Sequence, residues 1–364
     1  MPKRGHEFWM AEALALARRA EGLTRPNPPV GAVIVRHGRV VGRGFHRKAG
    51  DAHAEIHALR EAGDKARGAT LYVTLEPCST WGRTPPCTDA IKAAGLARVI
   101  VGCRDPNPAH AGRGIRILRN AGIAVVDRVC EAEAKALIDA FGKWITQKKP
   151  VVTLKLGMTL DGRIADRKGG SRWITGRKAR MNVHALRRRV DAIMVGVGTA
   201  IADDPSLLPA PARGRKPYRV IVDSRGRLPL RSKCLRDGHA GQTVVATTKR
   251  AKASFVTSVR KAGAAVVVLP SVRDRVALSA LMRELGRMGI MHVLCEGGGE
   301  LAATLVREKL VDEFLFFMGP KLLGGAGAIP AIGGEGWLLG QAPVLEVTAV
   351  ERIGGDILIR AKRS

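Results

Sequence analysis

Three residues that can bind a borderline-soft metal stand in a telling order: His53 in HAE, Cys78 in EPC, and Cys87 at the end of TPPC. One imidazole and two thiolates make three ligands, whereas a closed structural zinc site takes four. Water in the fourth position is the arrangement by which catalytic zinc brings the pKa of that water near neutrality. Glu55 follows His53 by two residues. It is too close to be a comfortable co-ligand, yet near enough to take a proton from such a water and pass it to a leaving amine. An H-x-E motif followed by P-C-x-x-C is the signature of zinc nucleobase deaminases. Here the cysteine gap is wider, but Gly82, Pro85 and Pro86 allow the intervening chain to loop out and return Cys87. Two other readings stand beside this one. The site could be a closed staple with His57 or Cys103 as fourth ligand, or the two cysteines could be unrelated and buried.

A second candidate lies at MHVLCEGGG, where an apolar run reaches Glu296 and three glycines before a helical pattern. Glycines let a backbone approach a diphosphate, and a helix N-terminus offers free N–H donors. Such a loop is a weak signal alone. Arg187, in RKARMNVHALRRR, could grip a phosphate with its planar fork or belong to a solvated basic face.

The elements that must carry these residues alternate. Residues 7–21 read as a helix, and VGAVIV and RVVGRGFH read as a hairpin turning at His37-Gly38. AHAEIHALREAGDKA reads as a helix, ATLYVTLEP as a strand, CTDAIKAAG as a short helix, ARVIVGCRD as a strand, and GRGIRILRNAG as turn and helix. After the polar QKKP segment come strands at VVTLKLGMTLDG, PYRVIVDS, QTVVATT, AAVVVLP and MHVLC. DAIMVGVGTAIADDP reads as a strand and turn. Helices are expected at RKARMNVHALRRR, ALSALMRELGRMG and ELAATLVREKL, and strands at DEFLFFMGPKLLG, VLEVTAVERI and DILIRAKRS. The alternation is that of an α/β fold, with domains at 1–147 and 148–364.

The 364 residues suffice for two domains, and 46% apolar with 26% charged residues describes a folded chain. No apolar run reaches the ~20 residues needed to span a bilayer, and no secretory h-region opens the chain. A cytoplasmic protein with no membrane partner is expected. Cys103, Cys130, Cys234 and Cys295 sit in or beside apolar runs and read as packed hydrophobes. The net charge of +29 attracts anions, whether nucleic acid or phosphorylated small molecules, or reflects arginine-rich solvated faces.

The segments PNPPVGAVIV, HAEIHAL, TLEPCSTWGRTPPCTDAI and DPNPAHAGRGI resemble the deaminase half of the bifunctional riboflavin-biosynthesis deaminase/reductases, in which the long GRTPPC insert is a regular feature. LKLGMTLDGRIAD, SRWIT, DAIMVGVGTAIADDPSL, VIVDSRGR, CEGGGELAATLV and GPKLLGG resemble the reductase half of the same family. The resemblance covers nearly the whole chain. It implies a cytidine-deaminase-like three-layer domain followed by a dihydrofolate-reductase-like domain. It further implies that Zn2+ is held by His53, Cys78 and Cys87, with Glu55 as proton carrier. NADPH contacts carry over onto Gly157, Trp173, Thr199, Asp203, Ser224 and the segment Gly298, Gly299, Glu300, Leu301, Ala302, Ala303 and Thr304. Substrate contacts carry over onto Ser171, Arg187, Leu207 and Glu296.

The implied reactions are hydrolysis of the exocyclic amine of a diaminopyrimidinone bearing a ribosylamino phosphate, then reduction of its ribosyl group to ribityl. The partner is then a phosphorylated pyrimidine, no nucleic acid is required by the charge, and a homo-oligomer is expected. Two departures stand out. Thr80 replaces the family's histidine, and LPAPARGR follows ADDPSL where a polar and then a basic residue are usual. The phosphate ligand there is Arg213 or is missing. The rival readings are a zinc RNA or nucleoside deaminase, a non-catalytic zinc-stapled binding protein, and a family member active in one half only.

Overall fold

Residues His37 and Gly38 both take positive φ, 50° and 67°, which is what a two-residue hairpin turn matching the strand twist requires. In the computed structural model, which describes residues 5–81, 85–211 and 215–364, this turn joins β1 (Gly31–Arg36) to β2 (Arg39–Phe45). The other edge of β1 pairs antiparallel with β3 (Thr70–Leu75), and β4 (Arg98–Cys103) and β5 (Ala124–Val126) extend the sheet in parallel. The order is β2-β1-β3-β4-β5.

Helices α1 (His6–Arg18), α2 (Ala54–Ala62), α3 (Cys87–Ala93), α4 (Arg113–Asn120) and α5 (Glu131–Gln147) flank it. Strand β1 is apolar from Gly31 to Val35, before its terminal Arg36, because both its faces are covered. Ala32 and Ile34 pack with Ala54 and Ala58 of α2, Ile91 of α3 and Leu118 of α4. Val33 and Val35 pack with Trp9 and Met10 of α1 and with Ala134 and Ile138 of α5. Two glycines set the closeness of these layers. A Cβ on Gly31 would overlap Ala13 O of α1, and one on Gly44 would overlap Ala54 O of α2.

The chain divides into two units, Met1–Lys148 and Lys149–Ser364. The second holds β6 (Val151–Thr159), β7 (Arg163–Ala165), β8 (Ala192–Gly196), β9 (Tyr218–Val222), β10 (Thr243–Thr247), β11 (Ala265–Val268) and the small hairpin β12 (Ser271–Val272) and β13 (Arg275–Val276). β14 (His292–Cys295), β15 (Glu313–Gly319), β16 (Ile329–Pro330), β17 (Leu345–Ile353) and β18 (Asp356–Arg363) follow. Its helices are α6 (Arg177–Arg189), α7 (Val197–Asp203), α8 (Lys233–Arg236), α9 (Ala253–Lys261), α10 (Leu278–Arg287) and α11 (Gly299–Arg307).

Nine strands form one sheet in the order β11-β10-β9-β8-β14-β6-β15-β18-β17. It is parallel from β11 to β15, and the last two strands are antiparallel. The crevice at the carboxyl ends of such parallel strands is where ligands bind in open α/β sheets. One expectation is corrected. The segment after β8 is the helix α7 and not a turn, because burial of Val197 and Ala200 against the core overrides the weak helix propensity of its small and β-branched residues. Among the described residues no helix is long and apolar enough to cross a membrane.

Candidate active sites

In the first unit, His53 occupies the N-cap position of α2, and Cys87 is the first residue of α3. Both therefore sit at the partially positive end of a helix, which favours thiolate and anionic neighbours. Cys78 lies just past β3. The wide interval closes on itself, since Cys87 N donates to Cys78 Sγ at 3.3 Å and Thr88 N to Cys78 O at 3.2 Å. The loop thus departs and returns at one point. Gly82, within it, lies outside the described residues, as do Arg83 and Thr84.

His53 Nδ1 lies 3.3 Å from Cys87 Sγ and 3.4 Å from Cys78 Sγ. The ligand edges of a tetrahedral zinc site with one nitrogen and two sulfurs are about 3.6 Å, so the donor set and its spacing fit that ion. Among the described residues this trio is the one His/Cys/Asp/Glu group close enough to hold a metal. The two candidate fourth ligands go elsewhere. His57 faces Asp51 at 3.7 Å, and the Cys103 thiol donates to Thr74 O.

The polypeptide alone already separates charge here. Hydrogen bonding from Cys87, with His53 beside it, brings the Cys78 thiol down to about 4 against the opposing effect of burial. The hydrogen bond to Cys78 raises the His53 imidazole to about 9. Cys87 is pushed far up by its hydrogen bond to Cys78 and by burial. A bound cation inverts this logic and takes the place of the protons. Glu55 is 3% exposed and in hydrogen-bond contact with Cys87. Burial raises its carboxyl, with His53 opposing, so this group can carry a proton in the pH range where ordinary glutamates cannot.

One supporting residue escapes the sequence reading. His46 is buried, accepts from Asn27 Nδ2 at 3.0 Å, reaches Ala52 O at 3.1 Å, and stands edge-on to the His53 ring at 5.4 Å. It fixes the residue before His53 and one face of its ring.

In the second unit a cavity of about 1190 Å³ opens at the carboxyl ends of β6, β8, β9 and β14. Its walls bring together Gly157, Ser171, Trp173, Thr199, Asp203, Leu207, Ser224, Arg187 and Glu296 with Gly298, Gly299, Glu300, Leu301 and Thr304. Ala302 and Ala303 turn into the core and do not line it. Arg213 lies outside the described residues.

The glycine run is built for close approach. Gly297 and Gly298 take φ of 108° and 86°, open to glycine and costly for other residues. A Cβ on Gly299 would stand 2.7 Å from Pro330 O. Gly298 caps α11 without a side chain, and no side-chain hydrogen bond caps that helix, so its first N–H groups are not taken up by a local cap.

The Arg187 fork is turned onto Glu296, at 2.6 Å from Nε and 2.8 Å from Nη2, and Nη1 donates to Leu208 O at 3.1 Å. Burial alone would push the Glu296 carboxyl up, but the Arg187 charge and hydrogen bonds, aided by Lys155, hold it below the ordinary range. Lys155, on the interior strand β6, lines the same cavity, and burial lowers its ammonium against the pull of Glu296. Sequence reading missed it, although a lysine within LKLG of an otherwise apolar strand was a signal. Leu207, φ 58°, is held between carbonyls anchored by Arg219 at Ser206 and by Arg187 at Leu208. Trp173 stands 60% exposed with the Arg180 guanidinium 4.2 Å from its ring centre.

Comparison with known proteins assigns the two units separately. Residues 3–103 match the cytidine and deoxycytidylate deaminase zinc-binding region, and residues 150–359 match the RibD C-terminal domain. The riboflavin biosynthesis protein RibD of Aquifex aeolicus is 42% identical over 98% of this chain and 98% of its own. That of Escherichia coli K12 is 40% identical over 97% of this chain and 98% of its own. The solved Acinetobacter baumannii RibD superposes with a TM-score of 0.89 at 37% identity, covering 99% of each chain. A Thermotoga maritima diaminohydroxyphosphoribosylaminopyrimidine deaminase/5-amino-6-(5-phosphoribosylamino)uracil reductase does so at 0.88 and 35%, again over 99% of each. The expected fold class, a deaminase-like α/β domain followed by a dihydrofolate-reductase-like one, stands.

Proposed function

This chain belongs to the RibD family of bifunctional riboflavin-biosynthesis deaminase/reductases, and on that premise we propose which of its residues carry each reaction. The enzyme deaminates with zinc in its first unit and reduces in its second. His53, Cys78 and Cys87 hold the zinc, which when bound supplies a Lewis acid that activates water near neutral pH. Glu55 would take a proton from the attacking water and deliver it to the departing amine of the diaminopyrimidinone. Its burial keeps that carboxyl protonatable and excludes bulk water from the transfer.

In the second unit, NADPH supplies the hydride that converts the ribosyl group to ribityl. Gly298, Gly299 and the first turn of α11 would hold its diphosphate, and Gly157, Trp173, Thr199, Asp203 and Ser224, which line the same cavity, would hold the rest of it. Ser171, Arg187, Leu207 and Glu296 hold the sugar phosphate, with Lys155 as an added donor beside them. The rim also carries Arg225, Arg227 and Arg273, so a phosphorylated substrate and cofactor account for positive charge on this wall without nucleic acid. The homo-oligomer is drawn through β17, an edge strand exposing Val347 and Val350 at 58% and 65%. Light scattering of Val350→Lys against wild type tests that reading.

The observation that carries the deaminase assignment is the His53–Cys78–Cys87 trio with a buried carboxyl in contact with it. The decisive experiment tracks ammonia release and NADPH oxidation with the diaminopyrimidinone ribosylamino phosphate as sole substrate. Wild type is expected to show both. Glu55→Ala is expected to oxidise NADPH only when given the deaminated intermediate. Ammonia without NADPH loss would mean a chain active in one half only.

A further inference from the structure

A second buried glutamate adjoins the deaminase site and has no part in either reaction's chemistry. Glu76 lies two residues before Cys78 and is 5% exposed. Its hydrogen-bond partners are main-chain N–H groups. Oε2 accepts from Asp105 N at 3.1 Å and Gly112 N at 2.8 Å, and Oε1 accepts from Ile115 N at 3.2 Å. Helix α4 begins after Gly112, which has φ 74° and no side chain to cap it. Glu76 therefore supplies from β3 the cap that α4 lacks locally. Gly114 seals the junction, since a Cβ there would overlap Pro77 O.

The segment between the two N–H groups held by Oε2 is the DPNPAHAG loop. Both its ends are fixed at one oxygen, and its interior is tied by Asp105 to Asn107 N at 2.8 Å and by Asn107 to Ala109 N at 3.1 Å. This loop lies beside the metal-ligand turn, with the Asp105 carboxyl within electrostatic reach of Cys78. It carries His110, whose Nδ1 is buried with no partner, and the turn itself carries Ser79, whose Oγ is likewise buried and unpartnered. Buried polar atoms are normally satisfied. Two orphans on segments that Glu76 ties together, next to a site that takes a polar heterocycle, point to a partner supplied by that heterocycle.

We propose that Glu76 is a positioning residue of the deaminase site. By clamping both ends of the 105–112 loop to the turn that bears Cys78, it holds His110 and Ser79 as the wall that receives the pyrimidine. The inference rests on the deaminase reading, which wild-type ammonia release tests separately from the behaviour of any Glu76 variant.

The test measures kcat and KM for ammonia release, bound zinc, and reductase turnover on the deaminated intermediate in Glu76→Ala, Glu76→Gln, His110→Ala and the Glu76→Ala/His110→Ala double variant. Glu76→Ala is expected to raise KM about tenfold, the scale of one lost hydrogen-bonded contact, with kcat within about threefold, full zinc and unchanged reductase turnover. Glu76→Gln keeps one acceptor and is expected to fall between. The double variant is expected to be little worse than either single one, because both remove the same contact. A merely structural role would lower active fraction and leave KM unchanged, and that outcome overturns the proposal. Loss of zinc in parallel with kcat overturns it too, since Glu76 would then serve the metal ligand. Should Glu76→Ala fail to fold, as loss of the first unit's calorimetric transition would reveal, Glu76→Gln and His110→Ala decide alone: unchanged KM in both sinks the idea.

Discussion

Replacing Glu296 by glutamine is expected to destabilise the second unit more than replacing its partner Arg187 by methionine. The pair is bidentate, with side chains 15% and 7% exposed. Deleting one partner of a buried pair strands the other charge, a loss of roughly 3–5 kcal/mol. A third charge breaks the symmetry. Lys155 interacts with Glu296 and is repelled by Arg187. Without Arg187, Glu296 still faces a cation, whereas without Glu296 two cations share one cavity wall. Glu296→Gln is therefore assigned about 4 kcal/mol and Arg187→Met about 2 kcal/mol. At about 2–4 °C per kcal/mol for a unit of this size, those values become roughly 8–16 °C and 4–8 °C in Tm.

Scanning calorimetry of the full chain, with the second unit's transition identified by its upward shift on adding NADPH, reads both variants. Because the folded-state pKa of Glu296 is depressed, its contribution is fully present above the ordinary glutamate range. It fades as pH falls through the folded value, so the gap between wild type and Glu296→Gln narrows in acid. Equal or reversed destabilisation of the two variants would refute the three-charge account. So would losses below about 1 kcal/mol, the size of an exposed pair.

The first unit offers two further tests. Chelation of zinc, or Cys78→Ser, is expected to abolish ammonia release while NADPH oxidation with the deaminated intermediate continues at the wild-type rate; metal analysis and the two assays run side by side check this. Gly44→Ala places a methyl group against Ala54 O at the start of α2. Overpacking of this kind costs about 1–3 kcal/mol or more. The first unit should melt earlier, and deamination should suffer because α2 carries Glu55 and is capped by His53; Gly38→Ala, in open space, serves as the comparison for strain without overlap.

What the sequence made legible was what chemistry cannot vary. A histidine, two cysteines and a glutamate, in the order HAE, EPC and TPPC, could be read as one site because only histidine and cysteine supply imidazole and thiolate donors. His37-Gly38 could be read as a turn because few dipeptides accept positive φ twice. The contacts that escaped are long-range. Arg187 finds Glu296 across 109 positions, and nothing local to either residue announces the other. Lys155 looked like an exception inside an apolar strand, and its meaning appears only once β6 lies between β14 and β15 inside the sheet. Helix α5 escaped for a different reason. It buries only Ala134 and Ile138, an apolar stripe too narrow to stand out from its charged faces. His46, likewise, acts through Ala52 and the His53 ring, neither of which a motif records.

Three buried glutamates show how environment divides one side chain into three roles. Glu296 faces a guanidinium and stays ionised, so its charge is structural as well as substrate-facing. Glu76 faces main-chain N–H groups and acts as a fixed acceptor. Glu55 faces the metal-ligand trio in a site whose burial favours its protonated form, and that leaves it free to exchange a proton. The same substitution should therefore give three different signatures. Glu296→Gln lowers the second unit's Tm. Glu76→Gln moves the deaminase KM. Glu55→Gln removes deaminase kcat by at least about a hundredfold, the usual contribution of a positioned acid–base group, and leaves Tm unchanged or raised because a buried carboxyl gives way to a neutral amide. If Glu55→Gln instead melted early and kept a measurable kcat, its burial would be serving the fold, and the proton carrier of this site would have to be sought elsewhere.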